Sequence, residues 1–347
     1  CVRGEFRALA HAIPGAVQRL RAALLVLAAV LGLYLSVPDA GLGAVWTAAR
    51  QASGAALAGA ALLLAGIIGA RIVRFHLLLA EVRPSWRDQL TASGIGYFAL
   101  QLLPFRLGEL VRPHLLAEAG VPWGRSLGAI AVERLMDLAA LLVLVLLANL
   151  VPLPGVLVVA DVDVLSAART VVGTAVAMGV VALITAVAVG PTALVRLEAL
   201  PFAGRPVARL LCHARTGLLA TSASAGGAAA ALTAWVWASN TAIVALLLSG
   251  LPDLPTGLAP AVLTTSATTA GILAVPTPGM VGSFEAFATA ALSVWPDASQ
   301  GSAAAMALTW HGLTLALHAV LGATLLAVRG LSLGAIVRAS RASRGTP

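Results

Sequence analysis

Apolar residues fill this chain in runs of nearly 20, separated by short loops that carry most of the charge. That length matches the ~20 residues an α-helix needs to cross a bilayer. Lipid cannot satisfy backbone N–H and C=O groups, and the runs do not alternate in segments of about ten as barrel strands do, so the pattern predicts helices. Six stretches are long enough to cross: 20–37, 54–74, 126–150, 170–190, 227–250 and 303–328. Two more, 90–118 and 258–295, are interrupted by proline and glycine in the middle. An interrupted helix leaves backbone groups open, which a bilayer tolerates only where protein or water covers them. Both are therefore expected to be re-entrant hairpins of two half-helices. The expected fold is an all-α polytopic membrane protein: six transmembrane helices plus two hairpins, about eight membrane segments, in a single transmembrane domain over 1–347.

Composition supports this reading and adds an orientation. The chain is 60% hydrophobic and 10% charged, with a mean hydropathy of +0.97, more apolar surface than a soluble domain of 347 residues could bury. All 22 basic residues are Arg, a usage that points to GC-rich coding and a bacterial source. Arg3, Arg7, Arg19 and Arg21 precede the first span, Arg71, Arg74, Arg83 and Arg87 surround the second connection, Arg196, Arg205, Arg209 and Arg215 fill the fourth, and Arg329, Arg338, Arg341 and Arg344 follow the last, all on one side if each hairpin returns to its starting face. Asp39, Asp161, Asp163, Asp253 and Asp297 lie opposite, with only Arg50 and Arg169. The positive-inside rule then places both termini in the cytoplasm, in the inner membrane. Cys1 and Cys212 do not suggest a disulfide framework, and with Cys at position 1 the chain is expected to be trimmed or a fragment. The first apolar run reads as an uncleaved helix.

With that orientation the first hairpin enters from the cytoplasm and the second from outside. "LPFRLGE" carries Pro104, Gly108 and Glu109, and "TPGMVGSFE" carries Pro278, Gly282 and Glu285, a similar order about 174 residues on. The expectation is an inverted repeat with halves at about 54–150 and 227–328 and a site near the midplane where broken helices meet.

The ionisable groups inside the membrane are few: Arg106, Glu109 and Arg112 on the first hairpin, Glu133, Arg134 and Asp137 on the third span, Glu285 on the second hairpin, and His311 and His318 on the last span. Each charge at a helix centre costs on the order of 2.5–3.5 kcal/mol on insertion scales, so they are expected to converge around a cavity. Glu133 and Asp137 share a helix face, and Arg134 can pair with Asp137. Each cluster has a plainer reading: "PFRLGELVR" as an interfacial loop holding lipid phosphates, "ERLMD" as a structural salt bridge, the two histidines as hydrogen-bonded packing residues. Glu285 has no Arg near it in sequence and must find a partner or a proton. Trp235 and Trp237 are expected to pack, and Trp46, Trp86, Trp123 and Trp295 to anchor at the interface. No metal spacing, nucleotide fingerprint, P-loop or Ser-His-Asp pattern is present, so neither metal nor cofactor is expected, and the basic charge is explained by orientation without nucleic acid.

In order and spacing, "ARIVRFHLLL", "LLPFRLGELVRPHLL", "VERLMDLAALL" and "PTPGMVGSFEAF" resemble the flippase-like transmembrane domain of the lysylphosphatidylglycerol synthase family. The resemblance runs from the first span to the last. It implies movement of lipids with derivatised head groups between leaflets, and it marks Pro104, Arg106, Gly108, Glu109 and Arg112, then Glu133, Arg134 and Asp137, then Pro276, Pro278, Gly279, Gly282 and Glu285. Two departures stand out: Leu100 and Gln101 occupy a place where members often carry Asn, and the sequence holds no aminoacyl-transfer domain, so translocation rather than synthesis is expected. The reading from sequence is a lipid translocase for a phospholipid or polyprenyl-phosphate-linked lipid, with Arg106, Glu109, Arg112, Glu133, Arg134, Asp137, Glu285 and His311 as substrate-binding residues and Pro104, Gly108, Pro276, Pro278, Gly279 and Gly282 as hairpin tips. The alternative is a membrane-embedded enzyme or partner subunit of envelope lipid or glycan synthesis. The expected partners are membrane lipids and, on that alternative, envelope-synthesis enzymes.

Overall fold

A computed structural model describes residues 41–79, 82–102, 108–150 and 222–332, the two-residue strands Val158–Val159 and Val162–Asp163, and residues 174 and 177. The expected spans at 20–37 and 170–190, together with Pro104 and Arg106, lie outside the described residues. The described elements are α1 Leu42–Arg50, α2 Gly54–Leu78, α3 Trp86–Leu102, α4 Val111–Glu118, α5 Trp123–Asn149, β1 Val158–Val159 with its antiparallel partner β2 Val162–Asp163, α6 Ala223–Gly250, α7 Leu258–Ala274, a 3-10 turn Pro278–Met280, α8 Ser283–Ser293 and α9 Gln300–Val328. The strand pair is the one departure from an all-helical chain among them.

Three helices, α2, α6 and α9, are long and apolar enough to cross a membrane. Their 25, 28 and 29 residues give lengths of roughly 37–43 Å at ~1.5 Å per residue, more than the ~30 Å hydrocarbon core. Each starts at a serine whose hydroxyl accepts an N–H of the first turn: Ser53 from Ala56, Ser222 from Ala225 and Ser299 from Ser302. These caps satisfy donors that helix geometry leaves open. The expected third span forms as α5, 27 residues long, and carries Glu133, Arg134 and Asp137 in its middle.

Both interrupted stretches fold back on themselves. A side chain at Gly108 would collide with the backbone of Ala99 and Leu100, so the chain leaving the break returns directly onto α3, and Gly96 one turn earlier makes room for Arg112 of α4. In the second hairpin Gly271 of α7 makes room for Phe287 of α8 in the same way. The first half-helices, α3 and α7, are each 17 residues, about 25 Å at ~1.5 Å per residue, too short to cross with ease. At the second tip the chain turns by left-handed backbone at Gly279 (φ 59°), Met280 (φ 62°) and Gly282 (φ 83°). Gly279 approaches the carbonyl of Gln101 at the end of α3, so the two tips touch inside the bundle.

α2 lies antiparallel to α6, with Ala56 against Gly250, Gly59 against Leu246 and Gly66 against Trp235. Each hairpin leans on a long helix from the other part of the chain, α3 on α9 and α7 on α5. One end of the bundle is closed by the Ser53 N–H to the Gly250 carbonyl (2.7 Å) and the Ser299 N–H to the Asp253 carbonyl (3.0 Å). At the other end Arg329 donates to Asp88 (2.7 Å) and Thr91 (3.0 Å), and Arg125 to the Leu79 carbonyl (2.9 Å). Leu62, Val143, Leu146, Leu147 and Val320 are exposed on the flanks, as lipid contact requires. Trp237 packs as expected, whereas Trp235 is 44% exposed, because α6 turns it outward to cover Gly66.

Candidate functional site

Among the described residues two large apolar cores, with a small third of Ile68, Ile72 and Tyr97, occupy the bundle, and a charged layer lies between the large ones. The larger core takes Ala60 to Ala70 of α2, Leu141 to Ala148 of α5 and Val236 to Leu248 of α6; the smaller takes Phe75 to Leu79, Ala129 to Val132 and Ala229. Between them lie Arg74 of α2, Glu133 and Asp137 of α5, and Thr233 of α6. Arg74 is 1% exposed. It forks onto Asp137 through two nitrogens (2.7 and 3.1 Å), donates to Thr233 Oγ1 (2.8 Å) and reaches Glu133 Oε1 at 3.4 Å. The other Glu133 oxygen accepts from Arg112 of α4 at 2.7 Å, so one buried carboxylate ties α2, α4 and α5 together. The Arg112 guanidinium lies 4.2 Å from the centre of the Phe75 ring and 5.3 Å from that of Tyr97, whose hydroxyl it meets at 3.4 Å. Trp237 Nε1 donates to Asp137 at 3.4 Å. Arg134 makes two looser contacts, to Glu109 at 3.8 Å and Asp137 at 3.7 Å.

The shared face of Glu133 and Asp137 and the Arg134–Asp137 pair thus form as the spacing implies. Arg71 and Arg74, counted with the arginines around the second connection, stand a turn or more before the end of α2. The helix continues through Phe75, His76, Leu77 and Leu78, with Arg74 buried and Arg71 half-buried. The apolar run "FHLLL" after Arg74 was the signal that could have found them. Arg74 is fully engaged, but Arg71 is not. Asp137, Tyr97, Arg74 and Arg134 act on it electrostatically, yet its buried Nε has no hydrogen-bond partner and its outer nitrogens make none to a described group. Four arginines, at 71, 74, 112 and 134, face three carboxylates, at 109, 133 and 137, among the described residues of this layer.

Glu285 belongs to a second centre. Its partner is His311 of α9, Nδ1 to Oε1 at 2.6 Å, and its other oxygen accepts the Gly282 N–H at 2.7 Å, closing the first turn of α8. His311 Nε2 meets the Gly279 carbonyl at 2.9 Å, and Phe284 stacks on the imidazole at 4.5 Å. A histidine on the neighbouring long helix thus satisfies Glu285, with no arginine of the first layer in ion-pair contact with it among the described residues. His318, seven residues on, turns instead to the Thr314 carbonyl (2.7 Å) and the edge of Tyr97. The tip residues Pro276, Pro278, Gly279 and Gly282 form the second break; Gly108 alone of the first tip is described. Among the described residues no group of His, Cys, Asp and Glu could hold a metal ion.

The fold and the site define a class first: an integral membrane protein whose apolar helices and two inward-folded hairpins enclose a buried ionic layer. More narrowly, the chain belongs to the lysylphosphatidylglycerol synthase TM region family, whose sequence model matches residues 21–322. No curated protein and no solved structure gives a significant match.

Proposed function

We propose that this protein is a lipid translocase of the cell inner membrane, moving a phospholipid or a polyprenyl-phosphate-linked lipid between leaflets by alternating access around an inverted repeat. The observation that carries the reading is Arg71: a cation set among aromatic and ionic groups, with no hydrogen-bond acceptor of its own among the described residues. Arg71 is half-buried with its Nε buried and unpaired, and a guanidinium is suited to bind phosphate through paired N–H donors. Arg112 and Arg74, by contrast, are already committed to Glu133 and Asp137. In this reading Arg71 takes the head-group phosphate, and Arg134 and Glu109 adjust to the rest of the head group through their looser contact. Acyl chains remain in lipid.

Three packing relations support the repeat. Exchanging α2 with α6, α3 with α7 and α5 with α9 maps the α3–α9 pairing onto α7–α5, and maps α2–α6 onto itself. The exchanged helices α2 and α6 are antiparallel, the relation expected of halves inserted in opposite directions. The Glu109–Arg134 contact of the first half has its counterpart in Glu285–His311 of the second. The family also supports a role in lipid handling.

The test is leaflet exchange of labelled lipids per folded molecule in proteoliposomes. Arg71→Gln and Glu133→Gln are expected to reduce exchange at least about tenfold, the loss of a charged contact worth ~1.4 kcal/mol or more, while the lipid-facing control Leu146→Ala leaves it unchanged. Unchanged exchange in Arg71→Gln would remove the phosphate assignment. Product formation without exchange would favour a membrane-embedded enzyme or its partner subunit.

A further inference from the structure

His311 sits between two hydrogen-bond acceptors. Nδ1 faces a Glu285 carboxyl oxygen at 2.6 Å and Nε2 faces the Gly279 carbonyl at 2.9 Å. A neutral imidazole has one N–H, an ionised carboxylate has none, and a backbone carbonyl can only accept. Both contacts are satisfied together only if the pair holds one proton beyond neutral imidazole plus carboxylate. That proton makes either an imidazolium against a carboxylate or a carboxylic acid donating to Nδ1. In both forms Nε2–H donates to Gly279. The second Glu285 oxygen is already taken by the Gly282 N–H, so it offers the proton no other arrangement.

We propose that Glu285 and His311 form a proton-binding site whose proton latches the second hairpin to α9, and whose release to water frees the Gly279 turn. After release one N–H remains for two acceptors, so a nitrogen lone pair opposes either the Gly279 carbonyl or the Glu285 carboxylate. The turn is already strained at Met280, a residue with a Cβ held in left-handed backbone. It also abuts Gln101 at the end of α3, so loosening it loosens the contact between the two hairpin tips. On the translocase reading given above, on which this second step rests, the lipid cycle is coupled to a transmembrane pH difference.

Among the described residues, no other titratable group is paired with Glu285 or His311. α7 brings only hydroxyls, and α6 carries no ionisable residue. α8 has Glu285 as its one ionisable group, and α9 has His311 and His318, the latter turned to Thr314 and Tyr97. On α3, Tyr97 belongs to the Arg112 contacts, Asp88 pairs with Arg329, and Arg87 stands at the opposite end of the helix from the tip. Of the α2 groups Arg74 is engaged in the first layer, Arg71 adjoins it and His76 stacks on Trp86; Glu133, Arg134 and Asp137 of α5 belong to that layer too, and Arg125 is held at the Leu79 carbonyl. Arg50 of α1 lies over Trp46.

The experiment is amide hydrogen exchange of the segment 276–286 in the full chain reconstituted in liposomes, corrected for intrinsic exchange. Between about pH 5 and about pH 9, protection in the wild type is expected to fall roughly tenfold or more. Glu285→Gln should keep the segment protected at every pH, since its amide donates to Nδ1 as the protonated acid does and its carbonyl still accepts from Gly282. His311→Phe should keep the stack on Phe284 and leave the segment unprotected throughout. Protection independent of pH in the wild type, or a Glu285→Gln that is unprotected like His311→Phe, would overturn the latch. Nitrogen-15 spectra of His311 in the wild type decide the same point without a variant, since ring nitrogens unchanged across the range also overturn it. Leaflet exchange is then measured with an imposed pH difference. Exchange indifferent to the gradient would remove the coupling, whereas no exchange at all, with pH-dependent protection intact, would remove the translocase reading and leave the proton site standing.

Discussion

Arg71 and Arg74 stand three residues apart on one helix and have opposite consequences when removed. Truncating Arg74 strands Asp137 and Glu133 in the bundle, and breaking a buried ion pair from one side costs about 3–5 kcal/mol. Arg74→Ala is therefore expected to lower the melting temperature in detergent sharply and to reduce yield. Arg71→Gln removes a cation without a hydrogen-bonded partner, so stability should change by less than about 1 kcal/mol or rise. Thermal melting of the two variants side by side checks the contrast, and equal losses would mean that Arg71 is structural. Glu133 and Asp137 were legible in the sequence because four-residue spacing fixes a shared helix face. Their partner Arg74 was not, because its distance in sequence carries no information about a contact made 59 and 63 residues away.

At the scale of elements, the hairpins depend on glycines where a half-helix meets its return strand of chain. Gly108→Ala would drive a methyl group into the backbone of α3, and Gly271→Ala would drive one into the Phe287 ring. Backbone cannot yield as a side-chain end can, so Gly108→Ala is expected to cost about 1–3 kcal/mol, as overpacking does, and Gly271→Ala somewhat less. Gly227 on α6 has open space around it, and Gly227→Ala should be neutral or stabilising by about 0.5–1 kcal/mol. Denaturation of the three variants in detergent ranks them. A Gly108→Ala as stable as Gly227→Ala would mean that the first hairpin does not close on α3.

For the whole molecule, the loops sort by end. Gln51, Ser53, Asp253 and Asp297 lie toward one end of the bundle, and Arg83, Arg87, Arg125 and Arg329 toward the other. By the positive-inside rule we propose that the arginine-bearing end faces the cytoplasm. In a background without Cys1 and Cys212, cysteines at Gln51 and Asp297 should react from outside the cell and cysteines at Arg87 and Arg329 only after permeabilisation. Gln51 and Arg87 labelling from one side would contradict both the orientation and the single crossing of α2 between them.

Sequence alone determined that this is a helical membrane protein with two interrupted segments. The solvent leaves the backbone no other way to bond, and the interruptions are written as proline and glycine in otherwise apolar runs. It also supplied Glu133 and Asp137 as neighbours, and Glu285 as a group in need of a partner. The tertiary structure decided which cation each carboxylate meets, and whether the charges form one centre or two. That choice turns on helix register: the antiparallel packing of α2 on α6 brings Arg74 to Thr233, and α8 folding against α9 gives Glu285 to His311 rather than to an arginine. Contacts between distant elements follow from how whole helix faces fit one another, and no short stretch of sequence contains that fit.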